Sequence, residues 1–381
     1  MRGFSLGPSC LQDGWQNRPM SSPPAFPPLH AANFEGEVAG KATRLFALRN
    51  GAGMSVSFTN LGGKILQIVV PDRHGKMDDV ALGYDTLRGV VQGQASMGAF
   101  IGRYANRIAN GRFALDGREY PLERNSNGHS QHGGPNGSRY RVFDVVQRDG
   151  ATAHLTLHYR SEDDGFPGNL MSRVIYRVTG DNELLIHYDA VTDSPTVVNM
   201  TSHVFFNLAG HRDTNAESLA RHRLRINASA YTPVSANQIP TGAVVPVEGT
   251  PFDFRRPRAI GERVEDAERD HEPHAGYDHN WVIDKPAGQM GLHAQLYEPQ
   301  SGRTLEVHST EPGLVFFGGN NLAGAVPRDV GKGGHVYRRR CALCLEPGHF
   351  PDSPNHPDFP STVLRPGEWF SGTIVYRFGV G

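Results

Sequence analysis

Two hairpins written into residues 141–188 constrain the fold of this chain more than any other feature. Arg141-Val142-Phe143-Asp144-Val145-Val146-Gln147 runs into Arg148-Asp149-Gly150, and Ala153–Tyr159 then alternates apolar and polar residues. Asp-Gly tolerates the positive φ that a tight turn needs, and a period of two marks a strand with one face buried. The pattern repeats at once: Val174–Val178, the turn Gly180-Asp181-Asn182, then Leu184–Tyr188. Further extended segments are expected at 54–58, 65–70, 224–228, 281–284, 292–298, 304–308 and 341–345, and helical periodicity only at 260–269. The 45 glycines and 27 prolines, about one residue in five, are spread along the chain as turn formers. Strands do not alternate with long amphipathic helices, so a parallel βαβ fold is disfavoured. A large antiparallel sandwich or barrel in one domain remains, with functional residues in loops and on one sheet face.

Charge and composition narrow the function. The 38 Lys and Arg nearly balance 39 Asp and Glu, which argues against a nucleic-acid groove or a polybasic membrane surface. Apolar runs such as Leu314-Val315-Phe316-Phe317 are too short to span a bilayer. Three cysteines, Cys10, Cys341 and Cys344, are too few for a disulfide scaffold. Residues 1–35 include the Pro-rich run Ser21–Pro28 and show no periodic apolar pattern, so they are expected to form a disordered extension ahead of a domain at 36–381. No long apolar stretch follows Arg2, so a cytoplasmic location is expected, with secretion left open. On this reading, deleting residues 2–35 changes little.

Several polar clusters exceed what a fold needs. If Asn199–Leu208 is extended, Asn199, Thr201, His203, Phe205 and Asn207 share one face, and Met200, Ser202, Val204, Phe206 and Leu208 the other. A solvated sheet face and a polar ligand pocket both fit the first set. Cys341 and Cys344 would point to opposite strand faces and lack a second cysteine pair, which disfavours a metal or redox site. Glu346 stands where that strand is expected to break into a Pro-rich loop, a usual place for a catalytic carboxylate. Arg103, Asn106 and Arg107 crowd one window, and His129 and His132 precede Gly133-Gly134, whose freedom suits close approach to a ligand. Asp278 and His279 precede a strand. Phosphate loops, His-Glu-x-x-His and the Gly-x-Ser-x-Gly nucleophile turn are missing from the sequence.

Taken in order, these blocks resemble the aldose 1-epimerases. They are Arg103-x-Ala105-Asn106-Arg107-Ile108, His132-Gly133-Gly134, Asn199-x-Thr201-x-His203-x-x-Phe206-Asn207-Leu208, Asp278-His279-Asn280 and Leu345-Glu346-x-x-x-x-Pro351-Asp352-x-x-Asn355. Tyr231–Val234, Ile239–Gly242, Gly249–Phe254 and Thr310–Gly313 lie in register with them, so the resemblance covers about residues 40–380. It implies an all-β supersandwich with very little helix, and interconversion of α and β aldohexose anomers without a cofactor or metal. It also implies Glu346 as catalytic base and His203 as catalytic acid, with Asn106, Arg107, His132 and Asp278 holding the sugar. Two glutamines frequent in that family are replaced, by Val315 and by Gly348, which bears on sugar preference.

The chemistry fits these residue types independently. Mutarotation removes the proton of the C1 hydroxyl while protonating the ring oxygen, then recloses the ring on the other carbonyl face. A carboxylate and an imidazole on opposite sides of C1 and O5 can do both and reverse both. The expected partner is a small aldose, acted on by a monomer or weak homodimer. Other readings are a phosphohexose epimerase using Arg103 and Arg107, a binding module that has lost catalysis, and a glycoside hydrolase pairing Glu346 with Asp278 or Asp352.

Overall fold

The structure is a computed structural model and describes residues 27–269 and 276–381. Its largest sheet has nine antiparallel strands. In spatial order these are Asp144–Gln147, Thr152–Tyr159, Leu170–Val178, Glu183–Thr192, Phe370–Val380, Arg303–Ser309, Gly291–Tyr297, Arg223–Ile226 and Arg258–Ala259. Both hairpins read from the sequence form its first four strands, and Ala153, Leu155, Leu157 and Tyr159 are the buried face of the second strand.

A six-stranded sheet lies against it, in the order Phe205–Phe206, Leu343–Gly348, Gly313–Phe317, Asp278–Val282, Ala230–Thr232 and Val245–Pro246. One core joins the two: Ile186, Val307, Ile374 and Tyr376 from the large sheet meet Phe206, Trp281, Leu314, Phe316, Leu343 and Leu345 from the small one. The Tyr376 hydroxyl crosses the interface to donate to the Leu345 carbonyl at 2.9 Å. A four-stranded sheet of Leu45–Arg49, Ser55–Thr59, Ile65–Pro71 and Met77–Asp79 closes one end. Helix is confined to short pieces, as expected for an all-β chain. The periodic stretch at 260–269 forms a 3₁₀ turn, Ile260–Glu262, and a helix, Val264–Arg269. Leu87–Gln92 and Ala216–Ala220 are helices too short to show a period in sequence.

Three boundaries differ from expectation, and each matters for the site. The Asp278–Val282 strand starts three residues early, because Asp278 and His279 pair with Phe317 and Phe316. The strand expected to end at 345 instead runs Leu343–Gly348, through Glu346 and Pro347, since Val315, Leu314 and Gly313 hold all three residues in the ladder. Pro tolerates this because its fixed φ suits extended backbone.

The third difference lies at the N-terminus. Residues 1–26 fall outside the described residues, but 27–35 do not behave as an extension. Ala31–Phe34 forms a 3₁₀ turn, Phe34 is fully buried beside Tyr84, Met97 and Cys344 in a second apolar cluster, and the Gln67 side chain donates to the Pro27 carbonyl. Deleting residues 2–35 therefore removes a core aromatic. It should lower stability by roughly 3–5 kcal/mol, the usual cost of losing a buried Phe. Deletion of 2–26 leaves Phe34 in place, and comparing the two unfolding curves checks the difference.

Candidate active site

Strand alternation builds the site from the small sheet. Leu343, Leu345, Leu314, Phe316 and Trp281 point into the core, so Cys344, Glu346, Val315, Phe317 and Asp278 face the other way. Phe205 completes that face from the neighbouring edge strand. Loops wall it into a cavity of about 660 Å³, within the range of small-molecule sites, lined by Asn106, Arg107, His132, His203, Asp278 and Glu346. All six residues singled out in the sequence thus lie around one space.

Glu346 and His203 are both nearly buried, and His203 Nε2 lies 3.5 Å from Glu346 Oε1. They are side by side, not on opposite sides of a space that would hold a sugar ring. Burial disfavours charge on either group. It pulls His203 down to about 4, and it pushes Glu346 well above the carboxylate range with the help of Asp278. Both shifts favour the uncharged pair, a neutral imidazole beside a carboxyl that keeps its proton to higher pH than an ordinary one. The other imidazole nitrogen, Nδ1, is 3.5 Å from Cys344 Sγ. The sulfur can accept from an N–H on Nδ1, a tautomer that leaves Nε2, the nitrogen facing Glu346, open to take a proton.

Glu346, His203 and Cys344 also place one potential metal-ligand atom each within 4.8 Å of the others. Cys341 is not the fourth member of such a set. It precedes the strand, so the opposite-face argument does not reach it, and it packs into the same minor cluster as Cys344; both are free thiols.

His132 is seated by an unusual backbone. Asn106 and His132 both have positive φ, at 61° and 53°, where Asn is tolerated and His is uncommon. The two residues brace each other: Asn106 N donates to His132 Nδ1 at 3.1 Å, and His132 N donates to the Asn106 carbonyl at 2.8 Å. The His132 ring meets His203 edge-on at 5.3 Å. Gly133 and Gly134 do allow close approach, but to the chain itself: a Cβ at Gly133 would stand 2.5 Å from the Gly102 carbonyl, and one at Gly134 would strike Asp164.

Arg107 and Asp278 face each other at 3.8 Å, and Gln238 bridges them. Its amide donates to Asp278 Oδ2 at 2.9 Å, and its carbonyl accepts from Arg107 Nη2. Gln238 lines the cavity and also a small adjoining hollow that it shares with Val315 and Asp278. Nothing in the sequence marked it, since a polar residue in a loop is ordinary. The hint was indirect: an apolar Val315 leaves room near Asp278 for an amide from elsewhere. Gln238→Leu should raise KM several-fold with a smaller loss in kcat, because it frees Arg107 and Asp278 from their common anchor without touching Glu346 or His203. Initial-rate polarimetry over a range of sugar concentration separates the two.

Other polar residues are structural. On Asn199–Leu208 only His203 and Phe205 line the cavity. Asn199 exchanges hydrogen bonds with the His349 backbone, Thr201 donates to the Pro347 carbonyl, and Asn207 donates to Ser218 and the Cys341 carbonyl. They tie the segment to the site strand, so neither a solvated face nor a fully ligand-facing one describes it. Arg103 is buried among the carbonyls of Arg160, Pro167 and Gly168 and does not reach the cavity. Asp352 is held by Ala109 N and Asn355, away from Glu346.

The sequence from residue 44 to 377 matches the family model described as aldose 1-epimerase. The chain belongs to the aldose 1-epimerase family. A galactose mutarotase from Mus musculus is 40% identical to this epimerase over 345 residues, covering 90% of this chain and 95% of its own. An aldose 1-epimerase from Escherichia coli (strain K12) is 37% identical over 341 residues, covering 89% and 96%. Among solved structures, an aldose epimerase homologue from C. elegans superposes with a TM-score of 0.81 at 31% identity, covering 89% of this epimerase and 99% of its own chain. The architecture is that of the galactose mutarotases, all-β with two large sheets sharing a core. No helix among the described residues is long and apolar enough to cross a membrane.

Proposed function

We propose that the protein interconverts the α and β anomers of free aldohexoses, glucose and galactose among them, by general acid–base ring opening and reclosure. The observation that carries this reading is the buried Glu346–His203 pair, 3.5 Å apart in a polar cavity, with burial lowering the imidazole and raising the carboxyl. O1 and O5 of a cyclic aldose are bonded to the same carbon, so two neighbouring groups can reach both from one edge. Passing the Glu346 carboxyl proton to His203 Nε2 leaves a carboxylate to take the C1 hydroxyl proton and an imidazolium to supply O5. The C1–O5 bond then breaks, and C1 becomes the aldehyde carbon. Rotation about C1–C2 presents its other face, and the same two groups run the step backwards. Arg107 and Asp278, fixed by Gln238, and Asn106 with His132 are placed to hold the remaining hydroxyls. Only protons bound to oxygen and nitrogen move, so the reaction calls for no redox cofactor or metal.

On this reading the protein acts on a small sugar in the cytoplasm, as a monomer or weak homodimer, and the near balance of 38 Lys and Arg against 39 Asp and Glu supports a partner that is neither nucleic acid nor membrane. Polarimetry on freshly dissolved α-D-glucose and α-D-galactose tests the reading. Decay to the equilibrium rotation should be faster with the protein than without it. No acceleration of either sugar would overturn the aldohexose assignment.

A further inference from the structure

The turn that opens the Ile65–Pro71 strand drives a lysine inward. Gly62 and Gly63 both have positive φ, at 73° and 55°, and Lys64 follows them. A Cβ at Gly62 would stand 2.8 Å from the Arg139 carbonyl and 2.9 Å from Lys64 Cε, so glycine there lets the lysine stem lie against the chain. Lys64 is only 2% exposed. It lines a hollow of about 130 Å³ whose walls include Val38, Leu61, Val90 and Val91. The exposed Val91 and Tyr140 also line it, so the hollow opens to solvent.

The Lys64 amine makes no hydrogen bond or ion pair among the described residues. The other four lysines of the chain are placed differently. Lys41 pairs with Asp144, Lys332 pairs with Asp79 and donates to two carbonyls, Lys285 donates to the Thr310 carbonyl, and Lys76 is exposed. A buried ammonium without a counter-charge is costly. Here no carboxylate lines the hollow, and the charged neighbour has the same sign: Arg139, with Ala95 and Tyr140, belongs to the wall between the hollow and the catalytic cavity. Burial first, and Arg139 second, pull the Lys64 amine down to about 7. Near neutral pH a large share of it is therefore uncharged, with a lone pair that nothing else engages.

The surroundings select what such an amine can take. Apolar walls favour a small uncharged electrophile over a hydrated sugar. The cationic neighbour then favours a product that is negative. An imine formed with an aldehyde would stay basic beside Arg139, and an amide would be neutral. A carbamate is an anion, and it turns the repulsion between the two side chains into attraction.

We propose that Lys64 is a site of reversible carbamylation by carbon dioxide. The nitrogen lone pair attacks the carbon of CO2, an N–C bond forms while one C–O π bond becomes a C–O⁻ lone pair, and the nitrogen releases one proton to solvent. Charge balances between the carbamate and that proton, and no oxidant, reductant or further reagent enters. Arg139 keeps its hydrogen bonds to the Ser96 hydroxyl and the Gln131 carbonyl and contributes its charge alone. The site stands apart from Glu346 and His203, so this inference and the epimerase reading can fail independently.

The test equilibrates the full chain with carbon-13-labelled CO2 and bicarbonate near neutral pH. Triethyloxonium then ethylates any carbamate to a stable ester, and digestion with mass spectrometry locates it. The expected result is label on Lys64 roughly tenfold or more above that on the exposed Lys76, since an ordinary lysine is almost wholly protonated at this pH. The carbon-13 NMR spectrum should show a protein carbamate resonance that is lost in Lys64→Met, whose side chain keeps the apolar stem without the amine. If Lys64→Met does not fold, peptide mapping of the wild type decides alone. Label no greater on Lys64 than on Lys76, or confined to other amines of the chain, would overturn the inference.

Discussion

Glu346→Gln should return a fresh solution of α-D-glucose to its equilibrium rotation roughly 10²–10⁴-fold more slowly per mole of protein than the wild type, the usual contribution of one acid–base group. The amide keeps the shape of the carboxyl and can still hydrogen-bond sugar, so binding measured by calorimetry should persist. What is lost is the ability to take the C1 hydroxyl proton. The expectation is specific because Glu346 sits in a continuous strand, paired with Val315, and its neighbour Leu345 is fixed in the core. The substituted side chain has no route by which to swing away. Undiminished turnover in this variant would move the base to another residue.

His203→Asn should cost a comparable factor, with a signature in pH that a merely structural residue would not show. In the wild type the working state of the pair carries one proton. His203 titrates near 4, and Glu346 is already protonated there because burial raises it, so a second proton enters as pH falls toward 4. With both groups protonated neither can act as base, and the rate should decline on that acid side. Above it, the rate should stay level until the raised Glu346 pKa is passed and the pair loses its only proton. In His203→Asn the residual rate should no longer fall near pH 4. Polarimetry between pH 3.5 and 8, at roughly one-half pH intervals, distinguishes the two profiles. A His203→Asn variant that keeps the wild-type rate and acid limb would remove His203 from proton transfer.

The sequence was most legible where local pattern and tertiary placement agree. Period-two alternation identified the two hairpins, because each has one face on the core and a turn that sets its register. The same rule places Leu345 inward and Glu346 outward without any structure. The six site residues could be named because their blocks follow one another in the order of a known family. Composition alone would have left them as loop residues. What stayed hidden depends on contacts between distant segments. Asn199, Thr201 and Asn207 look like ligand-facing polar residues, and only the folded chain shows their partners at His349, Pro347, Ser218 and Cys341. Gln238 is a single polar letter in a loop, and its importance lies in what it faces. The N-terminal boundary was misplaced because a lone Phe34 has no period, yet one aromatic in a pocket is enough to order the turn that carries it.

The Leu343–Gly348 strand has a consequence for how this protein can change over generations. Every residue in it is buried, with hydrocarbon on one side and the reaction space on the other. Inserting or deleting a single residue upstream within the strand would exchange the two sides, sending the carboxylate into the core and a leucine into the site. Lengthening an exposed turn such as Gly180–Asn182 carries no such penalty. Novelty is thus channelled into the loops around the cavity, such as the one that carries Gln238, while the strand beneath them admits point substitutions but no change in length.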